Sequence, residues 1–216
     1  MRYLGFDEAG RGSVLGPLVV GGYLLAEADV DAIREAGGRD SKGMTAARRE
    51  AAAGRLRALG EGWRTVSITP AEIDRGNLNA LEEDAFVRIC SELSPDAVQI
   101  DAPVAPRGIE AFRARMAARF DLPLDRVTAT PRAENRFPAV GAASVLAKVE
   151  RDAALEHIRE QHGDLGSGYP SDPVTRAYLT GLLRRGDDLP EFVRTRWDTL
   201  KRLKEEIEFG TQGSLF

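Results

Sequence analysis

Three carboxylates stand where short apolar segments of the sequence end. Asp7 and Glu8 follow Tyr3–Phe6, and Asp101 follows Ala97–Ile100. A buried carboxylate without a partner costs stability, so a fold that keeps several at strand ends normally pairs them with a cation. Mg²⁺ and Mn²⁺ prefer such oxygen ligands, and a pair of these ions can promote phosphodiester hydrolysis. The pattern indicates that chemistry, although ordinary turn acids would give the same pattern.

The adjacency of Asp7 and Glu8 restricts how they could share a metal site. Consecutive side chains of a regular strand point to opposite faces of the sheet. We therefore expect the strand to end or bulge between the two residues. Gly10 and Gly12, directly downstream, would permit such a break.

The elements that would hold these residues alternate between strand-like and helix-like segments, which is typical of an α/β domain. A hairpin is expected from Tyr3–Phe6 and Leu18–Leu25, with a glycine-rich turn between them. The other expected strands are Arg64–Ile68, Ala97–Ile100 and Val127–Ala129. The expected helices are Ala46–Leu59, Ala80–Leu93, Gly108–Phe120, 138 to about 161, Pro173–Arg185 and Glu191–Glu208.

Composition narrows the class of protein further. A length of 216 residues suits one large domain, and a single cysteine, Cys90, excludes an internal disulfide and fits a reducing compartment. We expect neither a leader peptide nor a membrane span, and therefore a cytoplasmic protein. The net charge of −4 leaves nucleic-acid binding open, because arginines are clustered along the chain.

Several sequence blocks follow one another in a fixed order. Gly5–Gly12 reads Gly-Phe-Asp-Glu-Ala-Gly-Arg-Gly, and Asp40-Ser41-Lys42 and Asp101 come next. Ala142–Asp152 reads Ala-Ala-Ser-Val-Leu-Ala-Lys-Val-Glu-Arg-Asp, and Gly166–Pro173 reads Gly-Ser-Gly-Tyr-Pro-Ser-Asp-Pro. Together, from about residue 3 to about residue 200, these blocks resemble ribonuclease HII, the type 2 ribonuclease H family.

The resemblance implies a fold and an activity. The fold would be α/β, with a ribonuclease H-like mixed sheet, flanking helices and a helical C-terminal region. The catalytic domain would span 1–208, divided at about 165 into core and helical region. The enzyme, a monomer, would hydrolyse the RNA strand of RNA–DNA hybrids and cut 5′ of ribonucleotides embedded in duplex DNA. The products would carry 5′-phosphate and 3′-hydroxyl ends.

The resemblance also implies four carboxylates that bind Mg²⁺ or Mn²⁺, with two ions during catalysis. Asp7, Glu8 and Asp101 match three of them. Glu134 occupies the fourth position, where the family usually has aspartate, and Asp152 is a second choice for this role. Glutamate at this position is similar to ribonuclease HIII, a sister family. A nuclease that cuts hybrids but not single ribonucleotides is therefore the alternative.

Other matched positions imply contacts with the nucleic acid. The main chain of Gly10, Arg11 and Gly12 would contact 2′-hydroxyls, and Tyr169 would stack on the deoxyribose beyond the ribonucleotide. Lys42 would contact a phosphate. Ser144 and Lys148, four residues apart on one helical face, could hold a phosphate together. The alternatives are a core tyrosine and solvated lysines.

The segment 209–216 is expected to be a flexible tail. Gln212, Leu215 and Phe216 resemble the pentapeptide that binds the bacterial DNA sliding clamp, although Gly213 stands where leucine is usual. Such a segment could become ordered on binding. The alternative is a terminus whose Phe216 packs on its own domain.

Overall fold

A mixed five-stranded sheet forms the centre of the fold. The structure is a computed structural model that describes residues 1–38 and 43–212, with side chains to residue 209. The strand order is β3-β2-β1-β4-β5. β1 pairs antiparallel with β2 and parallel with β4, which is also parallel to β5. The strands are β1 (Arg2–Ala9), β2 (Leu18–Ala26), β3 (Gly62–Ile68), β4 (Ala97–Asp101) and β5 (Val127–Thr130).

Eight α-helices accompany the sheet in the described ranges. They are α1 (Val30–Ala36), α2 (Ala46–Leu59), α3 (Pro70–Arg75), α4 (Leu78–Leu93), α5 (Ile109–Phe120), α6 (Pro138–His162), α7 (Pro173–Arg185) and α8 (Asp198–Gln212). The predicted mixed sheet with flanking helices is confirmed. None of the helices within 1–38 and 43–212 is long and apolar enough to cross a membrane.

Helix α8 begins later than the sequence pattern predicted. The prediction placed a helix over Glu191–Glu208 and a flexible tail from residue 209, but the structure starts the helix at Asp198 and continues it to Gln212. The carboxylate of Asp74 accepts hydrogen bonds from the N–H groups of Thr195 and Arg196, at 2.7 and 3.2 Å. Val193 also bridges to Leu15. These partners, distant in sequence, hold the segment in a non-helical conformation.

The chain forms two compact units. The first contains Met1–Ala9, Val19–Ser67 and Leu78–Glu150, and the second contains Gly10–Leu18, Ile68–Asn77 and the chain from Arg151 onward. The predicted division at about residue 165 stays a prediction. The core of the second unit is built from the buried residues Val14, Leu15, Leu155, Leu165, Leu179, Val193, Leu200 and Leu203.

In the first unit, glycines let helix α6 lie directly on the sheet. A Cβ atom on Gly5 would come within 2.2 Å of the Ala139 carbonyl carbon, and one on Gly21 within 2.5 Å of the Ala143 oxygen. Real Cβ contacts are never that short, so these positions need glycine. The close approach fixes the height of α6 over β1 and β2, and with it the position of Ser144.

Candidate active site

Asp7 and Glu8 lie within β1 rather than at a break in it. Asp7 pairs with Gly21 and Glu8 with Val20, and the ladder continues to Ala9. The prediction that the strand ends or bulges between them is wrong, because antiparallel pairing with β2 remains regular through both residues. In such a strand the two side chains leave from opposite faces. Asp7 is 6% exposed, whereas Glu8 is half-buried.

Asp101 is brought beside Asp7 by the parallel pairing of β1 and β4. Phe6 lies opposite Ile100 in this register, so each acid is the next residue along its strand. The carboxylate of Asp101 accepts a hydrogen bond from the N–H of Ala133 at 3.2 Å. Asp7 and Asp101, predicted at the ends of two separate strands, therefore lie next to each other at the carboxyl ends of β1 and β4.

The two aspartates are difficult to ionise in this environment. Burial raises the pKa of Asp101 to about 6, and the negative charge of Asp7 contributes to the increase. Burial also raises the pKa of Asp7, while a hydrogen bond from Ser144 and the positive charge of Lys148 oppose that change. Two neighbouring carboxylates disfavour simultaneous ionisation. A bound cation would relieve both effects.

Glu134 belongs to the same electrostatic neighbourhood. It lies in the short 3-10 turn Ala133–Asn135, which follows Arg132 in the left-handed region (φ 55°), and it is 3% exposed. Its charge raises the pKa of both Asp7 and Asp101. The structure thus places three of the four predicted acids, Asp7, Asp101 and Glu134, in one group within which the charge of one acid raises the pKa of another. The alternative, Asp152, belongs to the second unit.

Ser144 and Lys148 are directed at Asp7. The Nζ of Lys148 donates to the Ser144 hydroxyl at 2.7 Å, and Ser144 in turn hydrogen-bonds Asp7. The predicted neighbourhood of Ser144 and Lys148 on one helical face is present. Their link to Asp7 was missed, because it depends on how closely α6 approaches the sheet.

The donor chemistry of this group suits a hard divalent cation. Carboxylate oxygens are the preferred ligands of Mg²⁺ and Mn²⁺, and the pKa values of Asp7 and Asp101 are raised by burial and, to a smaller extent, by the neighbouring negative charge of Glu134. Within the residues that the structure describes, no three acidic, histidine or cysteine side chains already stand at metal-ligand spacing. The fit therefore rests on ligand type and charge.

In the second unit, a buried arginine is hydrogen-bonded to the main chain of the predicted glycine loop. Arg194 is 0% exposed and donates to the carbonyls of Gly10, Arg11 and Gly16, at 2.7, 3.0 and 3.1 Å. Gly10 has φ +86°, which favours glycine. A Cβ atom on Gly12 would meet nothing within 4 Å. Glycine at position 12 is thus not required by internal packing, and open space lies beside its main chain.

Tyr169 lies half-buried in a well-anchored loop of the second unit. Its ring stacks on the guanidinium of Arg151, 4.8 Å from the ring centroid. Asp172 caps α7 through the N–H of Val174 and also accepts the N–H of Ser167. These main-chain bonds lower the pKa of Asp172 to about 2. The loop that carries Tyr169 is therefore held by hydrogen bonds between its main chain and Asp172.

Two sets of predicted residues fall where the structure gives no side-chain description. Lys42 lies outside the described residues, as do Leu215 and Phe216. Gln212 is the last residue of α8, and its side chain is not described. Their roles stay predictions.

The sequence interpretation missed Arg151 and Arg194 as individual residues. It counted both among the charged residues of an arginine-rich chain, whereas the structure buries them in the second unit. Arg151 does lie inside the Ala142–Asp152 block, so the signal was present. Arginine is rarely fully buried, and pattern alone does not reveal when it is.

Known proteins similar to this chain identify its family. The Ribonuclease HII family model matches residues 4–200. Ribonuclease HII of Methanothermobacter thermautotrophicus is 42% identical over 214 residues, covering 95% of this chain and 100% of that protein. Ribonuclease H2 of Pyrococcus horikoshii has a TM-score of 0.87 at 34% identity, covering 96% of this chain and 99% of that one.

A second solved structure is the PCNA:RNase HII complex from Archaeoglobus fulgidus. Its matching chain has a TM-score of 0.85 at 35% identity, with 94% of this chain and 96% of that chain covered. The family model and these relatives span nearly the whole sequence, and the neighbours share the ribonuclease H-like fold. The chain therefore belongs to the ribonuclease HII family, endoribonucleases that hydrolyse the RNA strand of RNA–DNA hybrids.

Proposed function

We propose that this ribonuclease H is metal-dependent and also cuts 5′ of single ribonucleotides embedded in duplex DNA. Asp7, Asp101 and Glu134 would hold Mg²⁺ or Mn²⁺. Together with Glu8, the fourth predicted acid, whose side chain leaves from the opposite face of β1, they are called the carboxylate set below. The observation that supports this best is the burial of Asp7 and Asp101 beside Glu134: burial raises the pKa of both aspartates, and the negative charge of Glu134 adds to both increases. Such a group of neighbouring carboxylates is characteristic of sites that bind cations.

In this proposal the protein's own groups prepare the site for hydrolysis. Bound ions would supply an activated water and stabilise charge on the departing 3′-oxygen, which leaves 5′-phosphate and 3′-hydroxyl ends. Ser144 orients Asp7 through its hydroxyl, and Lys148 holds that hydroxyl at 2.7 Å. The main-chain N–H of Ala133 holds Asp101. Ligands whose orientation is fixed in this way need less rearrangement on binding.

Recognition of RNA is assigned to the second unit. The main chain of Gly10, Arg11 and Gly12 would contact the 2′-hydroxyl, the group that distinguishes RNA from DNA. The open space beside Gly12 supports this role, because the protein itself does not fill it. Tyr169 would stack on the sugar beyond the ribonucleotide, and its anchored loop supports a fixed orientation.

A second candidate is an enzyme that cuts hybrids but not single ribonucleotides. Glu134 motivates it, because glutamate places its carboxylate one methylene farther from the backbone than the usual aspartate. The ribose-contacting loop would be unaffected by that change. The difference between the candidates therefore concerns substrate range and leaves the reaction unchanged.

Two labelled duplexes of one sequence distinguish the candidates: a full RNA–DNA hybrid, and DNA with one ribonucleotide. We expect cleavage of both with Mg²⁺ or Mn²⁺ and of neither with a chelator. Incision of the second duplex should fall on the 5′ side of the ribonucleotide. Cleavage of the hybrid alone would favour the second candidate. Activity that survives exhaustive chelation would contradict metal dependence.

A sliding clamp is the proposed protein partner. The Archaeoglobus fulgidus relative occurs in a complex with PCNA. We propose that the tail 209–216, which follows the catalytic domain 1–208, contributes Gln212, Leu215 and Phe216 as anchors. Truncation after Gly213 should abolish co-elution with the sliding clamp of the same organism while leaving cleavage of short duplexes unchanged. Undiminished co-elution would place the clamp contact elsewhere.

A further inference from the structure

Arg194 binds three carbonyls of a single loop. Its Nη2, Nη1 and Nε donate to Gly10, Arg11 and Gly16, so its planar guanidinium sets the spacing of both ends of the loop. The guanidinium also stacks on Trp197, 5.0 Å from the ring centroid. The donors of this buried cation are thus directed at the backbone that carries the glycine motif.

The position of Arg194 is itself held by its neighbours in the chain. Its N–H donates to the carbonyl of Val14 at 2.9 Å. The next residue, Thr195, binds the Asp74 carboxylate through both its N–H and its hydroxyl, each at 2.7 Å. Asp74 therefore anchors the segment from which Arg194 reaches the loop.

Arg151 contacts the tyrosine loop as well as the glycine loop. It is 6% exposed, and its Nη2 donates to the Ser13 hydroxyl at 3.0 Å and to the Ser167 carbonyl at 2.9 Å. Its guanidinium lies over the Tyr169 ring. A Cβ atom on Gly10 would come within 2.6 Å of its Nε. One side chain thus touches the glycine loop, the main chain just before Tyr169 and the Tyr169 ring.

Neither Arg151 nor Arg194 forms a salt bridge with any of the side chains that the structure describes, those of residues 1–38 and 43–209. Both are held by carbonyls, a hydroxyl and aromatic rings, all from the second unit. A structural ion pair would have used a carboxylate; here the guanidinium geometry is used to space backbone groups and a ring.

We propose that these arginines are positioning residues with different tasks: Arg194 shapes the glycine loop for the ribose, and Arg151 aligns Tyr169 with that loop. The inference rests on the proposed function. Ribose recognition is needed for both substrates, so loss of Arg194 should affect both. Tyrosine stacking reports the RNA-to-DNA junction, so loss of Arg151 should mainly affect the single-ribonucleotide duplex.

The test is the ratio of kcat/KM on the single-ribonucleotide duplex to kcat/KM on the hybrid. We expect Arg151→Met and Tyr169→Ala each to lower this ratio by about tenfold, the usual scale for one lost charged hydrogen bond or stacking contact. The double variant should be no worse than Tyr169→Ala, because both changes remove one interaction. Arg194→Lys should lower both kcat/KM values by similar factors and leave the ratio unchanged.

Arg184→Met, at an exposed position on α7, removes the same charge as Arg151→Met and serves as the control. It should leave the ratio at the wild-type value. If Arg151→Met does not fold by thermal melting, Arg151→Lys takes its place. Lysine keeps the charge but lacks the guanidinium fork, so the ratio should fall by a smaller factor.

Three results would overturn the inference. The first is an unchanged ratio in a folded Arg151 variant, and the second is full additivity of Arg151→Met with Tyr169→Ala. The third is an Arg194→Lys enzyme whose ratio falls as far as that of Arg151→Met. Wild-type enzyme that does not incise the single ribonucleotide at all would instead refute the proposed function, and the inference with it.

Discussion

The two units surround their buried charged side chains with different groups. In the first, the buried Asp7 and the half-buried Asp101 lie near the acid Glu134, and the pKa values of both aspartates are raised. In the second, Arg151 and Arg194 are buried, and their guanidinium groups donate to carbonyls and lie over aromatic rings. Burial lowers the pKa of Arg194 to about 10, which leaves it charged at neutral pH.

In our proposal the acids of the first unit take part in the reaction, whereas the arginines of the second unit position the loops. The carboxylate set keeps a repulsion that a cation would relieve, so its free energy changes when a ligand arrives. The arginines are already hydrogen-bonded, so they fix geometry and gain little from a ligand. Variants of the first unit should therefore alter metal binding, turnover and pH dependence, whereas variants of the second should alter substrate choice.

The largest effect is expected for Asp7→Asn. Loss of the charge should lower cleavage by about a thousandfold or more, on the scale of removing a principal electrostatic group from an active site. Without metal, the Asp7→Asn variant should have a melting temperature no lower than that of metal-free wild type, because burial disfavours ionised Asp7. Cleavage assays and thermal melts measure the two effects, with the exposed Asp125→Asn as a control. Wild-type cleavage by Asp7→Asn would disprove the assignment of the carboxylate set.

Glu134→Gln should lower turnover by about a hundredfold, since it keeps the side chain's shape but removes its charge. Glu134→Asp should retain more activity than Glu134→Gln, because it restores the residue usual in the family. Steady-state kinetics with Mg²⁺ and with Mn²⁺ would measure both. Near-normal turnover of Glu134→Gln would show that another acid is the fourth metal ligand.

Gly12→Ala should lower kcat/KM by about tenfold on both substrates without loss of stability. The added methyl group meets no protein atom within 4 Å, so it would occupy space left for the ribose. Gly54→Ala, also in open space but within α2, is the control. It should raise the free energy of unfolding by about 0.5–1 kcal/mol and leave activity unchanged. Full activity of Gly12→Ala would argue against close contact at this position.

The smallest effect concerns stability and pH. Because the pKa of Asp101 is raised from 3.8 to about 6, its ionised form destabilises the folded protein. The metal-free protein should therefore lose stability as pH rises from about 4 to about 6. Asp101→Asn should remove this loss, with a gain of about 1–2 kcal/mol at neutral pH after allowance for partial exposure. Chemical denaturation at pH 4, 5, 6 and 7 would show it; an equal pH dependence in wild type and variant would contradict it.

Local sequence signals predicted most of the fold. The helix α2 starts and ends where capping and composition placed it, because Thr45 accepts the N–H of Arg48 and Gly60 follows the last turn. Helix α7 likewise matches its predicted range, Pro173–Arg185. The late start of α8 could not be predicted in this way, because Asp74, far away in sequence, holds Thr195 and Arg196.

The sequence by itself supplied the groups that we propose for this chemistry: Asp7, Glu8, Asp101 and Glu134 as acids, and a glycine loop with Tyr169 for recognition. Residue type and order are enough for that, since they establish the family. Only the tertiary structure decided how these groups are held. It kept Asp7 inside an unbroken strand, linked it to Ser144 and Lys148, and buried Arg151 and Arg194 behind the second unit's loops. Register, helix height and burial arise from long-range packing, which local sequence patterns do not encode.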